Sequence, residues 1–171
     1  MWARVLRTAP GQRCVALLSQ PKGRRLDRFL VRLTGRSLLI ALFTAMQGVP
    51  RLPVLLIHTT GRKSGQRRTT VMPYFRVGTG LYVIASAAGQ KNDPLWVRNL
   101  RGEPAAQITL RRRTYAVRSR ELADGSPERD AVWAHATATS PAYTQYQRTT
   151  ERLIPVIALD QAPVYATEPT Q

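Results

Sequence analysis

The segment Val-Leu-Leu-Ile-His-Thr-Thr-Gly-Arg-Lys-Ser-Gly-Gln-Arg-Arg-Thr-Thr-Val-Met, residues 54–72, decides how this chain is read. Val54–Thr59 is a short apolar run rich in β-branched residues, which predicts a strand. Arg68–Arg76 predicts a second strand of mixed character. Between them Gly61 and Gly65 permit positive φ and close backbone approach, and Arg62, Lys63, Arg67 and Arg68 bring four cations to one tip. The hydroxyls and backbone N–H groups of such a turn can hold phosphate. The glycine spacing is not that of a Walker A loop, and a strand rather than a helix follows. Composition alone leaves two readings open, a phosphate-holding loop and a solvated basic hairpin.

Further strands and short helices continue the pattern. Leu81–Ser86 follows the turn Gly78-Thr79-Gly80, and Ala105–Leu110 with Thr114–Glu121 alternate as a hairpin over Arg111–Arg113, a turn without glycine. Asp93-Pro94 opens a helix over Leu95–Arg101, with Asp93 as N-cap and Pro94 at the first helical position. Ser126-Pro127-Glu128 opens another that runs to Thr139, Pro141 restarts a short one, and Ile154–Leu159 is a closing strand. Upstream, Leu26, Phe29, Leu30 and Leu33 fall at helical spacing among Arg25, Arg28, Arg32 and Arg36, a basic amphipathic helix stopped by Gly35. A second apolar helix spans Ser37–Gln47. Helices followed by strands with inserted short helices predict an α+β fold, and closing the sheet into a small barrel removes its exposed edges. The expected organisation is a lead-in over 1–22, amphipathic helices over 23–50, a barrel domain over 51–160 and a disordered tail over 161–171.

The net charge of the 171 residues is +16, and it reflects missing acids as much as surplus bases: before Glu103 the only acidic residues are Asp27 and Asp93. Such a field implies an anionic partner: nucleic acid, anionic lipid, or a phosphorylated or carboxylated small molecule. One cysteine, Cys14, excludes an intramolecular disulfide and a cysteine-rich metal site. His58 and His135 have no ligand-type spacing around them, so no metal is expected. Arg13 interrupts the N-terminal apolar residues before a signal-peptide core develops, and Leu38–Met46 is too short to span a bilayer. A cytoplasmic protein is the expectation.

Two further clusters carry chemistry. Ala85-Ser86-Ala87-Ala88-Gly89 leaves room for a flat ring, with Ser86 placed to bond a ring carbonyl. In the following Asp93–Leu100 segment, Trp96 either covers such a ring or belongs to the core, and Arg98 and Asn99 either reach a ligand or cap a loop. Tyr143 and Tyr146, three apart, share a helix face; they either line an apolar pocket, one donating a proton, or are structural.

In this order and at these separations the segments resemble the deazaflavin (F420)-dependent nitroreductase family, the F420H2-using oxidoreductases of actinobacteria. The likeness runs from Leu55 to Leu159 through TTGRKSGQ-R, Ala85-Ser86, DPLWVRNL, PAYTQYQ and IPVIAL. It implies a split β-barrel like that of flavin-binding oxidoreductases, with coenzyme F420 in a groove. By matching positions, Arg62, Lys63, Ser64 and Arg68 hold the phosphate and oligoglutamate end, and Thr69, Thr70, Val71 and Met72 run beside the coenzyme. Ala85, Ser86 and Ala87 approach the deazaflavin ring, and Trp96, Val97, Arg98 and Asn99 complete the site. Tyr143 and Tyr146 match the family's acceptor-side tyrosines and, with Ser86, are the expected catalytic residues. The implied activity is hydride transfer from reduced F420 to a small organic acceptor, quinone-like or nitroaromatic.

The family's nitroimidazole-activating member has tyrosine, lysine and tyrosine where this chain has Pro73, Ala87 and Ser140, which argues against bicyclic nitroimidazoles but leaves the coenzyme loop intact. The family's N-terminal region is linked to membrane association, so Arg24–Arg36 either lies on the anionic inner face of the membrane or packs on the barrel. Two rivals remain: a flavin-, haem- or F420-carrying barrel without catalysis, and a nucleic-acid-binding module. The second lacks the interleaved aromatics of a single-strand platform, so no nucleic acid is expected.

Overall fold

The strand Val54–Thr60 (β1) is apolar on both faces at its start: Leu55 and Ile57 turn into a barrel interior, while Val54 and Leu56 turn outward beneath a helix. The structure, a computed structural model, describes Ala16 and residues 20–161. The lead-in expected over 1–22 and the tail expected over 161–171 lie outside the described residues, apart from Ala16, residues 20–22 and Gln161. After β1 come Arg67–Pro73 (β2), Phe75–Val77 (β3), Gly80–Ile84 (β4), Ala105–Leu110 (β5), Arg113–Glu121 (β6) and Val156–Gln161 (β7). All pair antiparallel in one sheet of order β2-β1-β5-β6-β7-β4-β3. The sheet curls until Leu55, Met72, Val83, Ile108, Val117 and Ile157, contributed by six strands, share one interior cluster. This is the expected split barrel, with each fully buried aliphatic side chain contributing about 1.5–3 kcal/mol.

The single strand expected over Arg68–Arg76 is divided. Pro73 has no N–H for the ladder, and the N–H of Tyr74 turns to the Pro53 carbonyl at 3.1 Å, so β2 ends and β3 starts afresh. The hairpin between β5 and β6 turns on Arg111 and Arg112, at φ 48° and 70°. That turn is usually built from Asn-Gly, because both central residues are left-handed.

Among the described residues five α-helices accompany the barrel: Pro21–Thr34 (α1), Leu38–Gln47 (α2), Leu95–Gly102 (α3), Pro127–Thr139 (α4) and Ala142–Arg148 (α5). Ser126 caps α4 as expected, its hydroxyl accepting from the Arg129 N–H at 3.3 Å. The capping role expected of Asp93 is corrected. Pro94 is the N-cap of α3, and the Asp93 carboxylate turns instead to Arg101 at 2.7 Å and Arg152 at 3.0 Å, charged donors that outcompete a backbone N–H.

Helix α1 docks on a face the hydrophobic spacing does not single out. Asp27 and Val31 are buried, whereas Leu26, Phe29 and Leu33 remain 52%, 58% and 48% exposed. The Asp27 carboxylate explains the orientation. It accepts from the Ser37 hydroxyl at 2.7 Å and from the free first-turn N–H groups of α2, Leu38 at 2.8 Å and Leu39 at 3.2 Å. Meeting α2 with its acid turns the apolar stripe of α1 outward.

Candidate active site

The loop between β1 and β2 is folded around Gly61. Its N–H donates to the Gln66 carbonyl at 2.8 Å, and its carbonyl accepts from the N–H groups of Ser64 at 3.1 Å and Gly65 at 2.7 Å. A Cβ at Gly61 would stand 2.7 Å from the Ser64 hydroxyl, and Gly65 adopts φ 64°, so both glycines are required by the turn. Asn99 of α3 pins the loop from below. Its Nδ2 donates to the Thr59 hydroxyl at 3.0 Å, and its Oδ1 accepts from the Arg62 N–H at 3.2 Å.

Above this loop runs a groove of about 860 Å³ lined by Arg62, Lys63, Ser64, Arg67 and Arg68, then by Thr69 and Thr70 of β2 and by Trp96, Arg98 and Asn99 of α3. Arg28 of α1 faces it from the other side. Among the described residues no carboxylate lines it. A donor set of guanidinium, ammonium, hydroxyl and amide groups without an acid fits a ligand carrying phosphate and carboxylates, so the residues fit the F420 that the motifs imply.

Thr70 and Trp96 also border a second cavity of about 250 Å³, which is predominantly apolar. Val71, Met72 and Pro73 form one wall, Ala85, Ser86 and Ala87 another, and Tyr143 and Tyr146 a third. Ile40, Phe43 and Thr44 of α2 also line it, together with Leu52 and Ser140. The two phenol rings meet edge to face at 6.1 Å between centroids, and Tyr143 packs likewise on Phe75 at 5.5 Å. Burial, reinforced by Tyr146, pushes the Tyr143 phenol well above its ordinary range, so its proton is held at any physiological pH.

The wall at Ala85–Ala87 is strained and clamped. Ala87 and Ala88 take φ 46° and 52°, left-handed values that non-glycine residues rarely adopt. Arg152 fixes the segment. One terminal nitrogen donates to the carbonyls of Ala85 at 3.0 Å and Ser86 at 2.9 Å, Nε donates to Gln90 at 2.9 Å, and the other terminal nitrogen pairs with Asp93 at 3.0 Å.

The structure thus gathers Arg62, Lys63, Ser64, Arg68, Thr69, Arg98 and Asn99 in the groove, and Val71, Met72, Ala85, Ser86, Ala87, Tyr143 and Tyr146 in the pocket, with Thr70 and Trp96 between them. Val97 is the exception. It is fully buried in the barrel core and lines neither cavity, because one helical step past Trp96 turns its side chain inward. Arg28, Arg152 and the α2 lining are functional candidates that the motifs did not single out, and Arg67, counted among the loop cations, lines the groove as well. The surplus of arginine and the all-round apolarity of α2 are the only signals they leave in the sequence.

A sequence model of the F420H(2)-dependent quinone reductase family matches residues 40–161. The chain belongs to this family. Among its relatives, an F420H(2)-dependent quinone reductase of Mycobacterium tuberculosis H37Rv is 34% identical over 108 residues, covering 63% of this chain and 72% of the relative. The solved structure of an F420-H2 dependent reductase superposes with a TM-score of 0.57 at 30% identity, covering 63% of this chain and 94% of that one. The haem storage protein HutZ of Vibrio cholerae, at 13% identity and a TM-score of 0.51 over 64% of this chain and 81% of its own, shares the barrel alone. Membership in the quinone reductase family makes the chain an oxidoreductase that depends on reduced F420 and acts on a small-molecule acceptor. The resemblance drawn from its motifs therefore holds.

Proposed function

We propose that the groove holds F420 by its phosphate and acidic tail through Arg62, Lys63, Ser64 and Arg68, and that the apolar pocket receives a quinone-like acceptor. One observation carries this reading: a cationic groove, with no carboxylate among its described lining residues, shares Thr70 and Trp96 with an apolar pocket walled by two phenols. Reduced F420, when bound, supplies a hydride. The protein's part is to position and to stabilise. Arg28, Arg98 and the loop cations neutralise the anionic end of the coenzyme, and Asn99 keeps the loop in register. The lining from α2 excludes water, and Ser86 stands on the wall as the donor for a ring carbonyl.

Tyr143 is the residue assigned to the acceptor. Its phenol keeps its proton and so donates a hydrogen bond to an acceptor oxygen as negative charge develops there. Tyr143→Phe therefore lowers kcat/KM for the acceptor by roughly tenfold. Its F420 Kd stays within roughly twofold of the parent value, since no loop contact is removed. Steady-state kinetics and fluorescence titration measure the two, and the reverse pattern would misplace the pocket. The reading as a whole is tested by a panel of quinones and nitroaromatics assayed with reduced F420. Quinone turnover supports it, and a panel with no quinone turned over contradicts it.

The same proposal extends to the outward face of α1. Leu26, Phe29 and Leu33 are exposed beside Arg25, Arg32 and Arg36, and each basic residue near an anionic bilayer contributes on the order of 1 kcal/mol. No single described helix is long and apolar enough to cross a membrane; α1 and α2 reach that length and apolarity only as a pair bent by 101°. The variant Leu26→Ser/Phe29→Ser/Leu33→Ser loses retention on phosphatidylglycerol vesicles by roughly fivefold or more in co-sedimentation. Equal retention would remove the membrane from the account.

A further inference from the structure

Cross-strand partners share a face, and His58 of β1 lies opposite Thr69 of β2 and Gln107 of β5 on the outer side of the sheet. These residues form part of a concave basin of about 390 Å³, whose floor is completed by Thr109 and Thr114. His58 Nδ1 lies 2.9 Å from the Thr69 hydroxyl and Nε2 lies 2.9 Å from that of Thr109, which is in turn 3.0 Å from Thr114. The rim is cationic. Arg32 comes from α1, Arg67 from the start of β2 and Arg112 from the β5–β6 turn, three separate elements that only the fold brings together. Burial first, then Arg67 and Arg32, push the His58 pKa down to about 4, so the floor is neutral at physiological pH.

A merely solvated patch would not be built this way. The ion pairs among the described residues all lie elsewhere: Asp93 and Glu121 with Arg101, Asp93 also with Arg152, Glu128 and Asp160 with Arg120, and Asp124 with Arg129. Among the described residues Arg32 and Arg112 have no ion-pair partner, and Arg67 donates only to Gln107 at 3.0 Å. Like charges facing one another across a concavity repel. The turn that delivers Arg112 also holds two arginines in left-handed conformations that glycine would adopt freely. Charge repulsion and backbone strain therefore coincide at one spot, and an anion relieves the first.

We infer that Arg32, Arg67 and Arg112, over the hydroxyls of Thr69, Thr109 and Thr114, form a second anion site on the outer face of the sheet that takes a phosphate-class oxyanion. It adjoins the coenzyme groove, with which it shares Arg67 and Thr69, but Arg32, His58, Gln107, Thr109, Arg112 and Thr114 line this basin and not the groove. The inference does not rest on the assignment of that groove. The oxyanion is either a free phosphate or the headgroup of an anionic lipid, because Arg32 sits on the same helix as the exposed Phe29 and Leu33.

The test is titration calorimetry of the full chain with inorganic phosphate, made in a Lys63→Ala/Arg68→Ala background that disables the coenzyme loop. Adding Arg32→Ala and Arg112→Ala weakens phosphate binding by roughly tenfold or more. In the parent chain the same pair leaves the F420 Kd within roughly twofold, since neither Arg32 nor Arg112 lines the coenzyme groove. Arg112→Gly separates site from fold: it raises the Tm by releasing the left-handed arginine, yet weakens phosphate. The His58 ring signal supplies a spectroscopic check, its pKa rising when phosphate is added. Phosphatidic acid vesicles distinguish the sources: retention that falls with Arg32→Ala/Arg112→Ala marks a lipid headgroup, and unchanged retention beside lost phosphate binding marks a free ion. Phosphate affinity that ignores the two arginines overturns the inference, and so does an F420 Kd that rises in step with phosphate loss.

Discussion

Replacing Lys63 and Arg68 together by alanine raises the Kd for F420 by about tenfold or more and leaves the fold intact. Both side chains are exposed, Lys63 on the loop between β1 and β2 and Arg68 at the start of β2, and neither side chain has an ion-pair or hydrogen-bond partner among the described residues. Their removal therefore costs the native state little, within about 0.5 kcal/mol for surface positions of this kind. A hydrogen bond to a charged group is worth roughly 1.5–3 kcal/mol, so losing two of them to phosphate exceeds the 1.4 kcal/mol that a factor of ten requires. Because the contacts are solvent-facing, the parent affinity falls as salt is added and the variant's falls less. Fluorescence titration at two ionic strengths measures both effects, and an unchanged Kd refutes the phosphate assignment.

Arg152→Ala has the other large effect, and it acts on the pocket rather than the groove. One guanidinium holds the carbonyls of Ala85, Ser86 and Gln90 and the carboxylate of Asp93, with only 14% of its side chain exposed against 17% for Asp93. Breaking a fully buried pair costs about 3–5 kcal/mol; solvent still reaches this one, so roughly 2–3 kcal/mol is expected from urea unfolding. Freed of the clamp, Ala87 and Ala88 relax from their left-handed conformations, and the wall that carries Ser86 moves. Acceptor kcat/KM falls by roughly tenfold or more, while the phosphate end of the coenzyme stays in place. Arg152→Lys does not rescue the variant, because one ammonium cannot span four acceptors on different sides. A loss of stability below about 0.5 kcal/mol, no more than an ordinary surface substitution, contradicts this role.

What the sequence shows of this site is what is local. Strand alternation, the two glycines of the loop and the run from Arg62 to Met72 are all contiguous, so the barrel edge and the groove can be read directly. Asp93 shows the limit. Its partners Arg101 and Arg152 lie 8 and 59 residues away, and nothing near Asp93 reveals that they outbid the helix terminus. Arg152 is one of 26 basic residues, so its role emerges only when the backbone carbonyls that surround it are in view. Val97 stands between Trp96 and Arg98 in the motif, and the helical period places it in the core instead of the site. The α2 lining and the outward apolar face of α1 share a cause, the buried contact of Asp27 with the start of α2, which no periodicity encodes.

The most direct measurement is a crystal structure of the full chain soaked with F420. The account expects the coenzyme phosphate within hydrogen-bond distance of Lys63 and Arg68, with the deazaflavin ring between Trp96 and the Ala85–Ala87 wall. A ligand bound elsewhere, with the Gly61–Arg68 loop bare, would contradict it.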